Sequence, residues 1–288
     1  MVVPSSELVF LPVPGGITIA GDHWDGERTP IVLAHGGGQT RHSWGATAQA
    51  LATAGHRVLS IDLRGHGDSS WAADGEYAMA DFVSDHIGVI EWIGEPVIWI
   101  GASLGGSSGL STVGACPDRF RSLVLVDITP TPAKAGVDRI LTFMAETANS
   151  GFGSLEEAAD AVADYQPQRT RPADSSGLAK NLRQGDDGRW RWHWDPKFVT
   201  SPKSMTHESG RDDATESVAR GIEIPTMLVR GRLSDLVTET EAEAFLEMVP
   251  HAEYVDVEDA AHMIAGDKND AFMDAITDFV ARLDSPQA

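Results

Sequence analysis

The chain has 288 residues, with 22 Lys and Arg against 43 Asp and Glu, which gives a formal net charge of −21. That charge repels polyanions and anionic lipids, so it argues against nucleic-acid and membrane-surface partners. The only cysteine, Cys116, excludes an internal disulfide and a cysteine-based zinc cluster. The sequence has neither the apolar run of about 18 residues that a membrane span needs nor a signal peptide at its start. We therefore expect a cytoplasmic protein, and the sequence leaves a homo-oligomer open.

The first half of the chain alternates strand and helix patterns. Residues 8–13 and 17–24 flank Pro14-Gly15-Gly16 and are typical of a hairpin, which we expect at an antiparallel edge. The segments that follow are a strand at 30–34, a helix at 42–54, a strand at 56–62, a helix at 80–93, a strand beginning at 97 and a strand at 122–128. This alternation favours a mostly parallel sheet with helices on both faces.

The alternation stops between residues 131 and 220. Helical patterns cover 137–149 and 154–165, and Ser154 with Glu157 has the spacing of a capping box. A turn at 185–188 precedes alternating residues that place Trp190, Trp192 and Trp194 on one face. We interpret that face as packing of a cap onto the core, at the edge of a substrate pocket.

Strand and helix patterns resume near the C-terminus, with strands at 225–229 and 253–257 and helices at 239–248 and 269–283. The predicted fold class is α/β, a mostly parallel, doubly wound sheet. Residues 1–130 and 221–288 would form this core domain, and residues 131–220 would form an inserted helical cap.

The motif Gly101-x-Ser103-x-Gly105 ends an apolar, strand-like run and precedes a segment of small residues that suits a helix. A residue held in such a sharp turn has a strained backbone, and the flanking glycines remove Cβ atoms that would collide with it. The pattern predicts an exposed Ser103 nucleophile at the N-terminus of a helix.

A serine nucleophile needs a base and a group that orients the base. His262 follows the last predicted strand, and Asp235 follows the strand before it, so both belong at the carboxyl edge of the sheet. The chain order Ser, Asp, His fits a nucleophile elbow. Asp127, after the 122–128 strand, is the alternative acid.

An oxyanion site requires two preorganised donors. We expect them to be the amides of Leu104 and Gly37, with Gly38 beside the substrate pocket. His35 is expected to hold the glycine loop, and Arg64, His66 and Asp68 to make structural hydrogen bonds behind the site.

Together, His35-Gly36-Gly37, the loop Asp62-x-Arg64-Gly65-x-Gly67-x-Ser69, the Ser103 motif, Asp235 and His262 resemble the α/β-hydrolase superfamily, over nearly the whole chain outside the cap. Within it, the loops from Gly36 to Trp44 and from Asp62 to Ser69 resemble the epoxide hydrolase, haloperoxidase and C–C hydrolase branch. Epoxide hydrolases and haloalkane dehalogenases have aspartate at the elbow, where this chain has Ser103, so the resemblance implies acyl transfer.

The predicted function is therefore a serine hydrolase of a small, rather apolar carboxylic ester or lactone. Alternatives are a C–C bond hydrolase, a cofactor-free haloperoxidase or perhydrolase, and a non-enzymatic ligand receptor with the same fold. We expect no metal and no organic cofactor, because the glycine-rich loop fails the dinucleotide fingerprint at Arg41 and no phosphate-loop or zinc motif occurs.

Overall fold

The computed structural model describes residues 4–165, 175–207, 211–258 and 270–284. Within them, eight strands form one sheet in the order β1-β2-β4-β3-β5-β6-β9-β10. The strands are β1 (Glu7–Val13), β2 (Ile17–Trp24), β3 (Arg28–Ala34), β4 (His56–Ile61), β5 (Val97–Ala102), β6 (Phe120–Val126), β9 (Thr226–Gly231) and β10 (Glu253–Val257). In this sheet the antiparallel pairings are β1 with β2 and β2 with β4, at the edge where the sequence predicted a hairpin, and the other described pairings are parallel.

The central strands alternate their side chains between two apolar layers because they are buried on both faces. Val32 and Trp99 face one layer, whereas Leu33 and Ile100 face the other. Helices α2 (Met79–Ile93), α3 (Leu104–Ala115) and α8 (Glu239–Met248) pack on the first face, and α1 (Gly45–Thr53) and α9 (Asp270–Leu283) pack on the second. This confirms the mostly parallel, doubly wound sheet.

The segment between β6 and β9 contains the remaining elements. They are α4 (Lys134–Thr147), α5 (Leu155–Tyr165), β7 (Leu182–Gln184), β8 (Trp190–Trp192), α6 (Lys197–Thr200) and α7 (Arg211–Arg220). The predicted turn at 185–188 joins β7 and β8 as an antiparallel pair. Half of the predicted capping box forms, since the Glu157 amide donates to Ser154 Oγ at 3.1 Å while the Glu157 carboxylate accepts from the Gly153 amide instead.

Helix α7, which the sequence pattern did not predict, packs against core helix α3. A Cβ added at Gly114 would lie 2.6 Å from Val218 Cγ2. The division into a core and a cap at residues 131–220 stays a prediction.

The strand before Asp127 is the clearest boundary correction. We expected it over 122–128, but β6 ends at Val126, and Asp127 takes a φ of 50°. A residue with positive φ cannot continue a strand, so the chain turns there. Among the helices of the described ranges, none has the length and apolar character needed to cross a bilayer.

Candidate active site

Ser103 lies between β5 and α3 in the strand–turn–helix arrangement that the sequence predicted. Its φ of 44° and ψ of −111° are outside the regions that side chains favour. A Cβ at Gly101 would meet the Gly105 carbonyl, and one at Gly105 would meet the carbonyl of Ala34. The glycines therefore permit the turn. The half-buried Ser103 side chain stands at the N-terminus of the 12-residue helix α3, where the helix dipole favours negative charge.

The glycine loop after β3 passes directly beside Ser103. A Cβ added at Gly36 would lie 3.3 Å from the Ser103 Cβ. The amides of Gly36 and Gly38 donate to the Gln39 side chain and to His66 Nε2, at 3.0 and 3.1 Å. The amides of Gly37 and Leu104, the predicted oxyanion donors, have no acceptor among the described residues. They are available to a ligand.

Two buried histidines hold this loop, as the sequence suggested. Nε2 of His35 accepts from the Leu63 amide at 3.0 Å, so its Nδ1 carries the proton and donates to the Gly36 carbonyl at 2.7 Å. His66 repeats the pattern, since Nε2 accepts from Gly38 and Nδ1 donates to the Arg64 carbonyl at 3.0 Å. Burial lowers the pKa of His35 to about 4 and that of His66 to about 3. Both imidazoles are thus neutral and structural.

Ion pairs hold the glycine loop and the loop after β4 in place. The buried Asp62 accepts from the Arg41 amide at 2.7 Å and pairs with the Arg41 guanidinium. Asp68 joins the same guanidinium at 2.9 Å and also pairs with Arg183 of the 131–220 segment at 3.1 Å. Arg64 binds both oxygens of buried Asp85, at 2.5 and 2.7 Å. These contacts confirm the structural hydrogen bonds expected for this loop.

Apolar side chains from the 131–220 segment cover the glycine loop. A Cβ at Gly37 would lie 3.7 Å from the Phe198 ring, and one at Gly38 would lie 3.5 Å from Met144 Cε and 3.7 Å from Trp194 Nε1. These three side chains are almost fully buried. Large, mostly apolar side chains therefore border the loop that carries the predicted oxyanion donor Gly37.

The three tryptophans pack against two apolar clusters. Trp194 belongs to the main core, Trp190 packs against a smaller cluster around Phe152, and Trp192 packs against both. Trp192 also donates to Thr147 Oγ1 at 2.9 Å. Only Trp194 lies at the glycine loop.

The two candidate acids have different surroundings. Asp127 is fully buried, whereas the Asp235 side chain is 35% exposed and forms an ion pair with Arg139 of α4. The predicted base, His262, lies outside the described residues. Its assignment, like those of Ser103 and the acids, stays a prediction.

Sequence reasoning missed Phe198, Met144 and Arg139 at this site. Each comes from the 131–220 segment, whose residues approach the glycine loop or Asp235 only through tertiary packing. The sequence carried no local motif for them.

Residues 31–275 match the model of the alpha/beta hydrolase family, so the chain belongs to that family. It is 29% identical over 262 residues to the 3-hydroxybutyrate-oligomer hydrolase of Cupriavidus necator, covering 86% of this chain and 88% of that protein. It is 26% identical to an esterase of Mycobacterium tuberculosis, covering 88% of this chain and 83% of the esterase. The crystal structure of E-2-(acetamidomethylene)succinate hydrolase superposes with a TM-score of 0.83 at 20% identity, covering 96% of this chain and 99% of that one. The resemblance drawn from the motifs is confirmed, and the relatives support hydrolase activity.

Proposed function

We propose that this alpha/beta hydrolase family member is a serine hydrolase that cleaves a small, rather apolar carboxylic ester or lactone through an acyl-enzyme. The observation that carries the proposal is Ser103, placed in a strained turn between the Leu104 amide and the glycine loop. The buried side chains of Met144, Trp194 and Phe198 beside the glycine loop support an apolar acyl group, and the hydrolase and esterase among its relatives support ester chemistry.

In the first half of the reaction, Ser103 Oγ forms a bond to the substrate carbonyl carbon while His262 accepts the hydroxyl proton. The oxyanion receives hydrogen bonds from the amides of Gly37 and Leu104. Collapse breaks the bond to the alcohol oxygen, which leaves with the proton from His262. A water molecule then attacks the acyl-enzyme by the same route, releasing the carboxylic acid and restoring Ser103. An aspartate after β6 or after β9, Asp127 or Asp235, orients His262.

The test is labelling with a fluorophosphonate, which reacts covalently with an activated serine. We expect the wild-type protein to be labelled at Ser103, and Ser103→Ala to lose both labelling and ester hydrolysis. Ser111→Ala, a change on the same helix, is the matched control and should keep both. Ester hydrolysis at the wild-type rate by Ser103→Ala would contradict the proposal.

The pH profile tests the assigned base. A histidine that acts as base must be neutral, so kcat/KM should fall as pH drops through the histidine's pKa, ordinarily about 6.5. A flat profile between pH 5 and 8 would exclude this role for His262.

Product analysis separates the other reactions that the same residues allow. An ester, a vinylogous diketone and peroxide with a carboxylic acid are offered in parallel, and we expect turnover of the ester to be fastest. Faster cleavage of the diketone would instead support a C–C hydrolase, and tight ligand binding without product would support a receptor.

A further inference from the structure

Asp127 is the acid that lies nearer to Ser103 in the sheet. Strand β6 lies between β5 and β9, and Ala102 pairs with Val126, so Ser103 and Asp127 are the next residues on two adjacent strands. The Ser103 amide donates to the Val126 carbonyl at 3.1 Å. Asp235, by contrast, lies four residues beyond the end of β9, which is two strands away from β5.

The surroundings of Asp127 fix its carboxylate. Oδ1 accepts from the Gly231 amide at 3.2 Å, and Oδ2 accepts from Ser234 Oγ at 2.7 Å. The direction of the second bond follows from Ser234 itself, since its oxygen already accepts from the amides of Leu236 and Val237 at 3.1 Å each. Its one proton therefore goes to Asp127. A buried carboxylate with such charge-assisted hydrogen bonds is oriented and held as an acceptor.

The carboxylate of Asp235 is engaged by a helix of the cap. It pairs with Arg139, whose guanidinium also lies over the Tyr165 ring, 5.8 Å from the ring centre. One turn earlier on α4, a Cβ at Gly136 would collide with the Asp235 carbonyl, so the helix rests on this loop. The Ala133 amide adds a hydrogen bond to the Leu236 carbonyl at 2.9 Å. Asp235 and Arg139 thus join α4 to the core.

We propose that Asp127, supported by Ser234, is the residue that orients the catalytic histidine, and that Asp235 docks the cap through Arg139. This inference rests on the proposed serine hydrolase function and deepens it. Asp127 acts through His262, which makes it a positioning residue.

The matched variants are Asp127→Asn and Asp235→Asn, each of which removes one charge and keeps the side-chain shape. Asparagine tolerates the left-handed backbone of Asp127, so the variant is expected to fold. We expect Asp127→Asn to lower kcat about 10³- to 10⁴-fold with little change in KM, the effect of removing the acid from such a triad. Asp235→Asn should raise KM and change kcat less than about tenfold, and Arg139→Gln should behave in the same way.

The pH profile of kcat/KM distinguishes positioning from a merely structural role. A carboxylate beside the histidine stabilises its charged form, so its removal should move the acidic limb to lower pH in Asp127→Asn alone. Two further charged side chains lie at the end of β9, Arg230 and Arg232. Both pair with Asp256, and both are unchanged in the two variants. Thermal unfolding reports whether each variant is folded.

The outcomes separate this inference from the proposed function. Ester hydrolysis by Ser103→Ala would refute both the proposed function and this inference. An inactive Ser103→Ala together with a 10³-fold loss of kcat in Asp235→Asn would overturn only the assignment of Asp127. If Asp127→Asn does not fold, the kcat of Asp235→Asn decides between the two acids. A value within tenfold of wild type supports Asp127 as the positioning residue, and a 10³-fold loss refutes that assignment.

Discussion

Individual side chains near Ser103 include groups that border the predicted oxyanion site and groups that hold the loops. His35 and His66 are neutral and buried, and both ring nitrogens of each are hydrogen-bonded to the backbone. Their role is therefore to hold the loops. The sequence could predict this role because both histidines lie within glycine-rich loops. It could not predict their tautomers, which depend on amides brought close by folding.

His66→Leu tests this loop-holding role. The change leaves the Gly38 amide and the Arg64 carbonyl without their partner, at a cost of about 1–3 kcal/mol for each unsatisfied group. Because Gly38 adjoins the predicted oxyanion donor Gly37, we expect a fall in kcat of at least tenfold in addition to a lower melting temperature. Steady-state kinetics and thermal unfolding measure the two effects.

The control for this prediction is His56→Leu. His56 is equally buried and bonds the Thr29 carbonyl at 3.0 Å, but it lies at the opposite end of the sheet, where β4 begins. This variant should lose stability and keep its kcat. Equal losses of kcat in the two variants would show that His66 acts through global stability alone.

Among the secondary-structure elements, the hydrophobic pattern predicted the strands and helices of the main sheet better than the packing of the 131–220 segment. The predicted bounds of α8 and β10 agree with the structure, because alternation or helical periodicity with clear caps defines them locally. The end of β6 was predicted two residues late, since the bonds from Asp127 to the distant Gly231 and Ser234 decide its backbone. The approach of α4 and α6 to the glycine loop had no sequence signal, because it depends on tertiary packing and not on a local pattern.

The segment around α6 is hydrogen-bonded to the loop after β4. Its backbone bonds the loop after β4 twice, through the His193 carbonyl with Gly67 and the Asp195 amide with Gly65, at 2.8 and 2.7 Å. The Tyr77 hydroxyl also donates to the Asp195 carboxylate at 2.7 Å. These hydrogen bonds hold the segment that places the Phe198 ring beside Gly37.

Phe198→Leu should alter acyl-chain preference. The smaller side chain frees space against Gly37, so we expect the ratio of kcat/KM for longer over shorter acyl esters to rise several-fold. The loss of buried volume should cost about 1 kcal/mol of folding free energy. A panel of esters of increasing acyl length measures the ratio.

Phe120→Leu is the matched control for Phe198→Leu. Phe120 is a similarly buried ring at the start of β6, packed against Trp99 away from the glycine loop. It should lose comparable stability and keep the wild-type acyl preference. A parallel change in preference would remove Phe198 as a specificity residue.

For the whole molecule, buried neutral histidines link stability to pH. In addition to His35 and His66, His86 is buried beside Trp99, and burial lowers its pKa to about 3. All three folded-state values lie below the ordinary value of about 6.5 expected in the unfolded chain. Between the folded-state and unfolded-state pKa values, the unfolded chain binds more protons than the folded one. The contribution of these histidines to the free energy of unfolding is therefore complete above about pH 6.5 and is lost as the pH falls towards 3–4.

The magnitude makes this loss measurable. At pH 5, each histidine lies about 1.5 pH units below its unfolded pKa, which corresponds to about 2 kcal/mol per group at 1.36 kcal/mol per unit. Three such groups contribute about 6 kcal/mol, which is comparable to the lower end of the free energy of unfolding of an ordinary domain, about 5–15 kcal/mol. We therefore expect urea denaturation to show a steep loss of stability between pH 7 and 5.

His86→Phe isolates one of these contributions. His86 Nδ1 has no partner within the described residues, and Ser108 keeps its own bond to the Leu104 carbonyl, so the ring can be replaced at a modest hydrogen-bonding cost. The variant should lose about 2 kcal/mol less stability than wild type between pH 7 and 5. Val89→Ala, a core change on the same helix, should lower stability equally at both pH values. If His86→Phe instead shows the wild-type pH dependence, the buried imidazole of His86 contributes nothing to acid sensitivity, and that sensitivity must come from other groups.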